Sequence, residues 1–228
     1  MDLSSGRTGS PSTAATTPLT ADEVLTTTRA VRKRLDLDRP LARELLLECL
    51  QVAVQAPTGS NRQEWHFVFV DDPAQKQAIA DHYGRAWDRY NALPRPRYAE
   101  GDIRGERLPH VVSSAMYLRQ RMHEAPWLMI PCIRGRLREG ATTAEQAGLW
   151  GSIVPAFWSF LLAARARGLG TAFTTLHLVY EREVSEVLGI PFEEYTQAGL
   201  TPIAYFTGDG FRPAVRLPLA DVVHWNGW

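Results

Sequence analysis

Leu41, Leu45, Cys49, Val52 and Ala56 recur at three- and four-residue intervals, which puts apolar side chains on one face of a helix that Pro57 closes. Upstream, Thr20 followed by Glu23 forms a capping-box pattern, and Val24, Leu25 and Thr28 suit one or two helical turns ending in the basic cluster Arg29, Arg32, Lys33 and Arg34. Trp65 to Val70 alternates weakly and is rich in aromatic and β-branched residues, so it predicts a strand. A helix is predicted from Pro73 to about Tyr90, with Ile79, Tyr83 and Trp87 on one face. Leu93 to Arg107 has no period. Its prolines Pro94 and Pro96, the nearby Pro109 and several arginines read as a mobile excursion, lid-like over about 85–110.

Ser113 to His123 reads as helical and Trp127 to Ile133 as a second apolar strand. The longest helix is predicted from about Thr143 to Arg167. Leu149, Ile153, Ala156, Phe157, Phe160, Leu161 and Ala164 cover most of its circumference, which implies burial on nearly all sides and a partner subunit; Pro155 should kink it. Gly168 and Gly170 end it. Thr171 to Leu178 then predicts a third strand, followed by a helix near Glu181 to Leu188 and a strand near Ile203 to Thr207. Phe211 to Trp228 has little pattern and is expected to lie extended over another surface. Residues 1–19, rich in Ser, Thr, Ala, Gly and Pro, read as a disordered tail, leaving 20–228 as one domain. The alternation of helices and strands argues α+β or α/β, with helices covering a sheet.

Composition narrows the function classes. The 228 residues are 45% hydrophobic, enough for a sizeable core, and 25 basic residues balance 25 acidic ones, so nothing points to nucleic acid or an anionic membrane. Cys49 and Cys132 sit in apolar stretches without metal-ligand spacing, as reduced thiols of a cytoplasmic protein do. The start has no charged region followed by an apolar core, and the longest apolar run, near Ile153 to Ala164, is interrupted at Ser159 and too short to span a bilayer. No Ser, His, Asp arrangement, H-E-x-x-H or G-x-x-x-x-G-K-[ST] is present, and Gly168-Leu169-Gly170 lacks the later glycine of a dinucleotide fingerprint. No metal site is expected, and His177, His66 and His224 read as structural.

The loop between the helix and the first long strand, APTGSNRQEW, carries Pro57, Thr58, Gly59, Asn61 and Gln63, and such loops place ligand donors and acceptors easily. Its order and spacing resemble the loop of the FMN-dependent nitroreductase family, usually A-P-[ST]-x-x-N-x-Q-P-W-x-F, with Glu64 here where proline is common. Three further segments between Thr27 and Trp228 are similar to family motifs: Thr28 to Arg32, Gly168 to Leu178, and Phe211 to Arg216. The resemblance implies an α+β fold with a mixed central sheet flanked by helices, in an intertwined homodimer whose C-terminal arms, 211–228, are exchanged.

It also implies roles for residues. In the family the basic turn holds the FMN phosphate and ribityl chain, which gives Thr28, Arg29 and Ala30 that place, while Arg32 lies at the flavin N1 and O2 edge and tunes the ring. The family usually shows R-[RH]-S-x-[RK] here, so Thr28 and Ala30 leave the phosphate one charge and one hydroxyl short. Arg216 matches the C-terminal basic residue that reaches the same phosphate, and Arg212 is the expected compensator. Thr174, Thr175 and Leu176 are candidates for the backbone donor to N5. Pro57, Thr58, Gly59, Asn61 and Gln63 are expected from the opposite subunit. The activity implied is ping-pong transfer of hydride through flavin N5 from NAD(P)H, with NADPH favoured by six arginines between Arg85 and Arg107, to nitroaromatic, quinone or similar acceptors. A flavin-dependent dehydrogenase or oxidase of a biosynthetic substrate, and a flavin-storage protein, need the same contacts.

Overall fold

The computed structural model describes residues 18–228, so all but the last two residues of the expected disordered tail lie outside the described residues. Helix α1 (Ala21–Thr27) opens with the predicted capping box: the Thr20 side chain accepts from the Glu23 amide and the Glu23 carboxylate accepts from the Thr20 amide. It is followed by β1 (Leu35–Asp36), α2 (Arg43–Ala53), β2 (Trp65–Val70), α3 (Pro73–Asn91), α4 (Ile103–Arg121) and β3 (Trp127–Arg134). The chain continues through α5 (Thr143–Ala166), β4 (Leu169–Thr171), α6 (Glu181–Leu188), β5 (Tyr195–Gln197) and β6 (Thr201–Phe206).

The sheet is organised around β3, which pairs with β2 along its full length on one side. On its other side it meets β6 at Trp127 to Met129 and β5 at Cys132 to Arg134. Pro131 falls where the neighbour changes. A central strand tolerates a proline poorly because the ring removes a ladder donor, and here the gap between two partners accommodates it. β6 in turn carries β1 and β4. Among the described residues every ladder is antiparallel, and the one parallel pairing is the isolated bridge between Ala30 and Thr171.

Because successive strand residues point to opposite faces, β3 serves two cores. Leu128, Ile130 and Cys132 pack with Ile79 and Tyr83 of α3, Leu118 of α4 and Val184 of α6. Trp127 and Met129 pack with Leu46 and Cys49 of α2 and Phe157, Phe160 and Leu161 of α5. This burial on both faces explains why the strand is apolar throughout rather than alternating.

Several expectations need correction. The stretch read as an aperiodic excursion is mostly helical, since α3 runs to Asn91 and α4 begins at Ile103, ten residues before the predicted start. Asp102 caps α4 by accepting from the Arg104 amide at 2.8 Å, and Arg119 pairs with Asp88 at 2.6 Å between α4 and α3, so the helix runs through Pro109. The third strand is short: it ends at Thr171, and Leu176 to Tyr180 form a 3-10 turn. α5, with 24 residues and a mean hydropathy of 1.5 over its most apolar window, has the length and composition of a membrane-crossing helix, a test that the core helix of a globular domain also passes. Its apolarity serves the core instead, where Ile153, Phe157 and Phe160 are fully buried. Burial is one-sided within this chain: Ala144, Ala147, Gly148, Gly151, Val154 and Trp158 form an exposed stripe at helical spacing.

His177 lies in the 3-10 turn with no exposed surface and neither ring nitrogen hydrogen-bonded. Beside it is Gln197, whose side-chain amide donates to Glu181 O and Ser185 Oγ while Oε1 has no partner. Burial lowers the His177 pKa from 6.5 to about 3, with Gln197 opposing. The folded chain therefore stays neutral there between those values while the unfolded chain takes up a proton. The contribution of this residue is complete above pH 6.5 and should fall on acidification toward pH 3, by about 1.4 kcal/mol per pH unit. Urea titrations from pH 7 to pH 4 should show a shallower loss in His177→Leu than in the native protein; parallel curves would assign the acid sensitivity elsewhere.

Candidate functional site

The turn after α1 is fixed to the sheet by its backbone, with the Val31 amide donating to Thr171 O at 2.7 Å at the end of β4. The close approach requires Gly170, where an added Cβ would lie 3.0 Å from side-chain atoms of both Val31 and Leu35. Beyond Thr171 the chain leaves the sheet, touches it again where Thr174 and Leu200 exchange amide-to-carbonyl bonds of 3.0 and 2.8 Å, and enters the 3-10 turn at Leu176. The amides of Thr175 and Leu176 thus fall at a helical start, where N–H groups lack acceptors within the helix.

These elements meet at a cavity of about 380 Å³. Arg32 and Thr174 to Leu176 form one side, Tyr83, Trp87 and Tyr90 of α3 a second, and Leu108, Val111, Val112 and Ala115 of α4 a third. Arg32 donates to Ser114 Oγ at 3.2 Å and Lys33 donates to Ser113 Oγ at 2.8 Å, so α4 is tied to the basic turn at consecutive residues. Burial lowers the Arg32 pKa and the Tyr83 hydroxyl opposes it, but a guanidinium stays charged at any ordinary pH. Burial likewise pushes the Tyr83 hydroxyl up, with the Thr174 side chain and the Arg32 charge pulling it back.

A second cluster adjoins it. Arg29 donates to Arg212 O at 2.9 Å, and its pKa is lowered first by burial and then by the charges of Arg107 and Arg216. Among the described residues, no carboxylate forms an ion pair with any of the three. Guanidiniums converging on Arg29 without a counterion suit an anion chemically, above all a phosphate, whose oxygens match the planar fork. The root of the C-terminal stretch is pinned to this corner: Arg34 donates to Gly210 O at 2.7 Å and to Thr207 O, and its guanidinium lies 4.4 Å from the Phe211 ring centre. Thr28 caps α1, with its hydroxyl donating to Val24 O, and Ala30 makes the parallel bridge.

The structure therefore brings Arg29, Arg32, Thr174, Thr175, Leu176, Arg212 and Arg216 to one region. Arg212 meets Arg29 through its carbonyl. Pro57 to Gln63 are elsewhere: Thr58, Gly59 and Ser60 line a different groove with Arg134, Gly135 and Ser152. The Gly59 amide donates to Ser152 Oγ of α5 at 3.0 Å, and Gln63 bonds Thr58 through its amide and Asn61 through its side chain. Ser60, Asn61 and Gln63 all adopt positive φ, between 53° and 54°, a conformation that costs free energy in non-glycine residues and is concentrated at functional sites.

A model of the nitroreductase family matches residues 25–205, most of the chain. The chain belongs to that family. It is 29% identical over 219 residues to a protein named NADH dehydrogenase from Thermus thermophilus, covering 89% of this chain and 97% of that protein. It is also 29% identical over 158 residues to 5,6-dimethylbenzimidazole synthase from Rhodospirillum rubrum, covering 68% of each. Among solved structures, an FMN and NADPH-dependent nitroreductase, NfnB from Sphigopyxis sp. strain HMH, superposes with a TM-score of 0.66 at 20% identity, over 92% of this chain and all of that one; it shows the shared nitroreductase fold.

Tyr83, Trp87, Ser114, Arg107 and Phe173 belong to the site and were not singled out as site residues from sequence. Tyr83 and Trp87 sit at helical spacing among core residues, Arg107 lies in the stretch read as irregular, Ser114 at the start of the helix predicted from Ser113, and Phe173 in the stretch predicted as a strand. Gly170→Ala tests the close approach that sets the site. The added methyl should cost about 1 to 3 kcal/mol by urea unfolding, because Val31 and Leu35 must give way, and it should weaken ligand binding at the turn. A variant as stable as the native protein would show that the turn can shift freely.

Proposed function

We propose that this chain is an FMN-dependent oxidoreductase that works as a homodimer, takes electrons from NADH or NADPH, and passes them to electron-poor acceptors such as nitroaromatics and quinones. The observation that carries the reading is the distribution of cations: three guanidiniums without a carboxylate at one end, and the half-buried Arg32 over an aromatic and aliphatic cavity at the other. That pattern fits a ligand with a terminal phosphate and a planar ring. When bound, the flavin ring supplies hydride chemistry that no side chain in the site can perform.

Arg29 and Arg216 would hold the phosphate, joined by the Thr28 hydroxyl, the Ala30 backbone and Arg212, with Arg107 as a further cation. Arg32 would face the pyrimidine edge of the ring, where its charge favours the more negative form of the ring. Thr174, Thr175 and Leu176 would offer backbone donors to the central edge. The loop from Pro57 to Gln63, including Thr58, Gly59 and Asn61, would come from a second copy, since in one chain it lines another groove. The exposed stripe on α5 supports the same assembly, because it carries Val154 and Trp158 beside the Ser152 that anchors the loop. Trp87, Tyr90, Leu108 and Val111 suit a flat apolar acceptor. The arginines from Arg85 to Arg107 favour NADPH as donor, although Asp102 neutralises Arg104. Both thiols are buried and unpaired, which agrees with a cytoplasmic enzyme. Similarity to a 5,6-dimethylbenzimidazole synthase favours a second reading, a flavin-dependent dehydrogenase or oxidase acting on an organic substrate.

Anaerobic mixing with NADPH or NADH separates the two. Rapid bleaching of the flavin absorbance is expected for the first reading; a flavin that stays oxidised with both would favour the second. Two substitutions test the residue roles. Losing one charge-assisted hydrogen bond costs about 1.5 to 3 kcal/mol, so Arg29→Gln should weaken FMN binding roughly ten- to a hundredfold and leave riboflavin binding nearly unchanged. Arg32→Gln should lower the reduction potential of the bound flavin in a spectroscopic redox titration, and equal potentials would remove Arg32 from the ring edge.

A further inference from the structure

Arg165, in the last turn of α5, is the one buried arginine among the described residues, with 7% of its surface exposed. Its surroundings contain little to offset the charge. Nη2 donates to Thr27 Oγ1 of α1 at 3.1 Å, and the Thr27 hydroxyl in turn donates to Glu23 O at 2.5 Å. Nε is buried with no hydrogen-bond partner among the described residues. The guanidinium lies 5.3 Å from the Phe206 ring centre and 5.2 Å from that of Phe211. Arg34 faces the same two rings from 5.6 and 4.4 Å. Two cations thus share a pair of aromatic faces, and no ion pair among the described residues includes either of them.

Aromatic faces offset part of the cost of burying a cation, but a buried charge ordinarily requires an anionic partner. The two carboxylates nearby do not fill that role. Glu23 accepts from the Thr20 amide and hydroxyl in its capping box and acts on Arg165 only at a distance, and Asp209 is exposed and unpaired. Burial and the Arg34 charge both lower the Arg165 pKa, with Glu23 opposing. Arg165 lines a cavity of about 500 Å³ together with Leu19, Ala166, Phe206, Gly210 and Asp209, whose exposed carboxylate stands in the same lining without an ion pair to Arg165. Among the described residues nothing lies within 4 Å of where a Gly168 side chain would begin, and Gly210, at φ 111°, brings bare backbone near Arg165 Nη2. This cavity shares no residue with the one under Arg32.

We propose that the cavity beside Arg165 is a second anion site, separate from the Arg29 cluster, which takes a small oxyanion, a carboxylate or phosphate group, against the Arg165 guanidinium. The apolar walls from Leu19, Ala166 and Phe206 would accommodate a short organic body. An anion there would brace the contact between α1, α5 and Phe211, the residue that precedes Arg212 and its bond to Arg29.

The test uses the full-length protein with FMN in excess, so that the Arg29 cluster is occupied, and titrates inorganic phosphate and acetate by calorimetry and by thermal unfolding against chloride of equal ionic strength. Saturable binding of at least one of them is expected, with a rise in Tm, both persisting in Arg29→Gln. Arg165→Met should weaken the binding by about tenfold or more and abolish the rise, while matching or exceeding the native Tm in chloride because the uncompensated charge is gone. Absence of saturable binding to the native protein, an unchanged response in Arg165→Met, or its loss in Arg29→Gln would each overturn the proposal. If Arg165→Met does not fold, Thr27→Val replaces it: removing the hydroxyl that orients the guanidinium should weaken the same response, and an undiminished response would count against the site.

Discussion

Arg107 and Arg216 bring their positive charges to bear on Arg29 in a corner where no carboxylate of the described chain pairs with any of the three. The corner persists because backbone contacts and packing hold it. Val31 is bonded to Thr171, Gly170 lets the turn approach β4, and Arg34 secures the start of the C-terminal stretch through Thr207 and Gly210. The protein thereby keeps an unfavourable charge arrangement that an anionic ligand would relieve. In the proposed reading the affinity for such a ligand would come largely from this uncompensated charge, Arg29 above all, and the neighbouring cavity under Arg32 would take the rest of the ligand.

The division of the site follows from the same framework. The loop from Thr58 to Gln63 holds three non-glycine residues at positive φ through bonds within itself and to Ser152, yet the groove it lines is not the one beside the cations. A loop anchored on α5 next to an exposed stripe of small and apolar residues supports the proposed face shared with a second copy. In the proposed dimer the packing helix therefore has two roles. One face fills the core with Phe157 and Phe160, and the other presents the loop.

Much of this was legible in the chain because the chemistry is local. The loop motif, the basic turn, the capping box at Thr20 and the helix from Glu181 each depend on residues close in sequence. What was not legible depends on long-range contacts. The helix from Ile103 to Arg121 contains Pro109 and buries only Ala115 and Leu118, so its periodicity is weak; Asp88 of α3 and the serine contacts to Arg32 and Lys33 stabilise it from outside. Thr171 to Leu178 has the composition of a strand, but the chain turns away where Thr174 bonds Leu200. Phe157 there crowds Gly199, so that an added Cβ would lie 2.7 Å from the ring. That departure from the sheet is what places Thr174, Thr175 and Leu176 at the cavity. The arginine at position 165 gave no local signal, since its isolation arises only when α1, α5 and the C-terminal stretch converge.

The central claim, that one site is built from the cationic corner of one chain and the loop of another, is tested most directly by subunit complementation. Chains carrying Arg29→Gln and Arg32→Gln together, and chains with Asn61 and Gln63 both changed to alanine, should each bind FMN weakly as homodimers. After the two are unfolded together and refolded as a mixture, half of the dimers should be mixed, and each mixed dimer should contain one site free of substitutions. About a quarter of all sites should then bind FMN with native affinity. Fluorescence titration that shows no tight-binding fraction in a mixture verified to contain mixed dimers would contradict the shared site and place the whole flavin contact within a single chain.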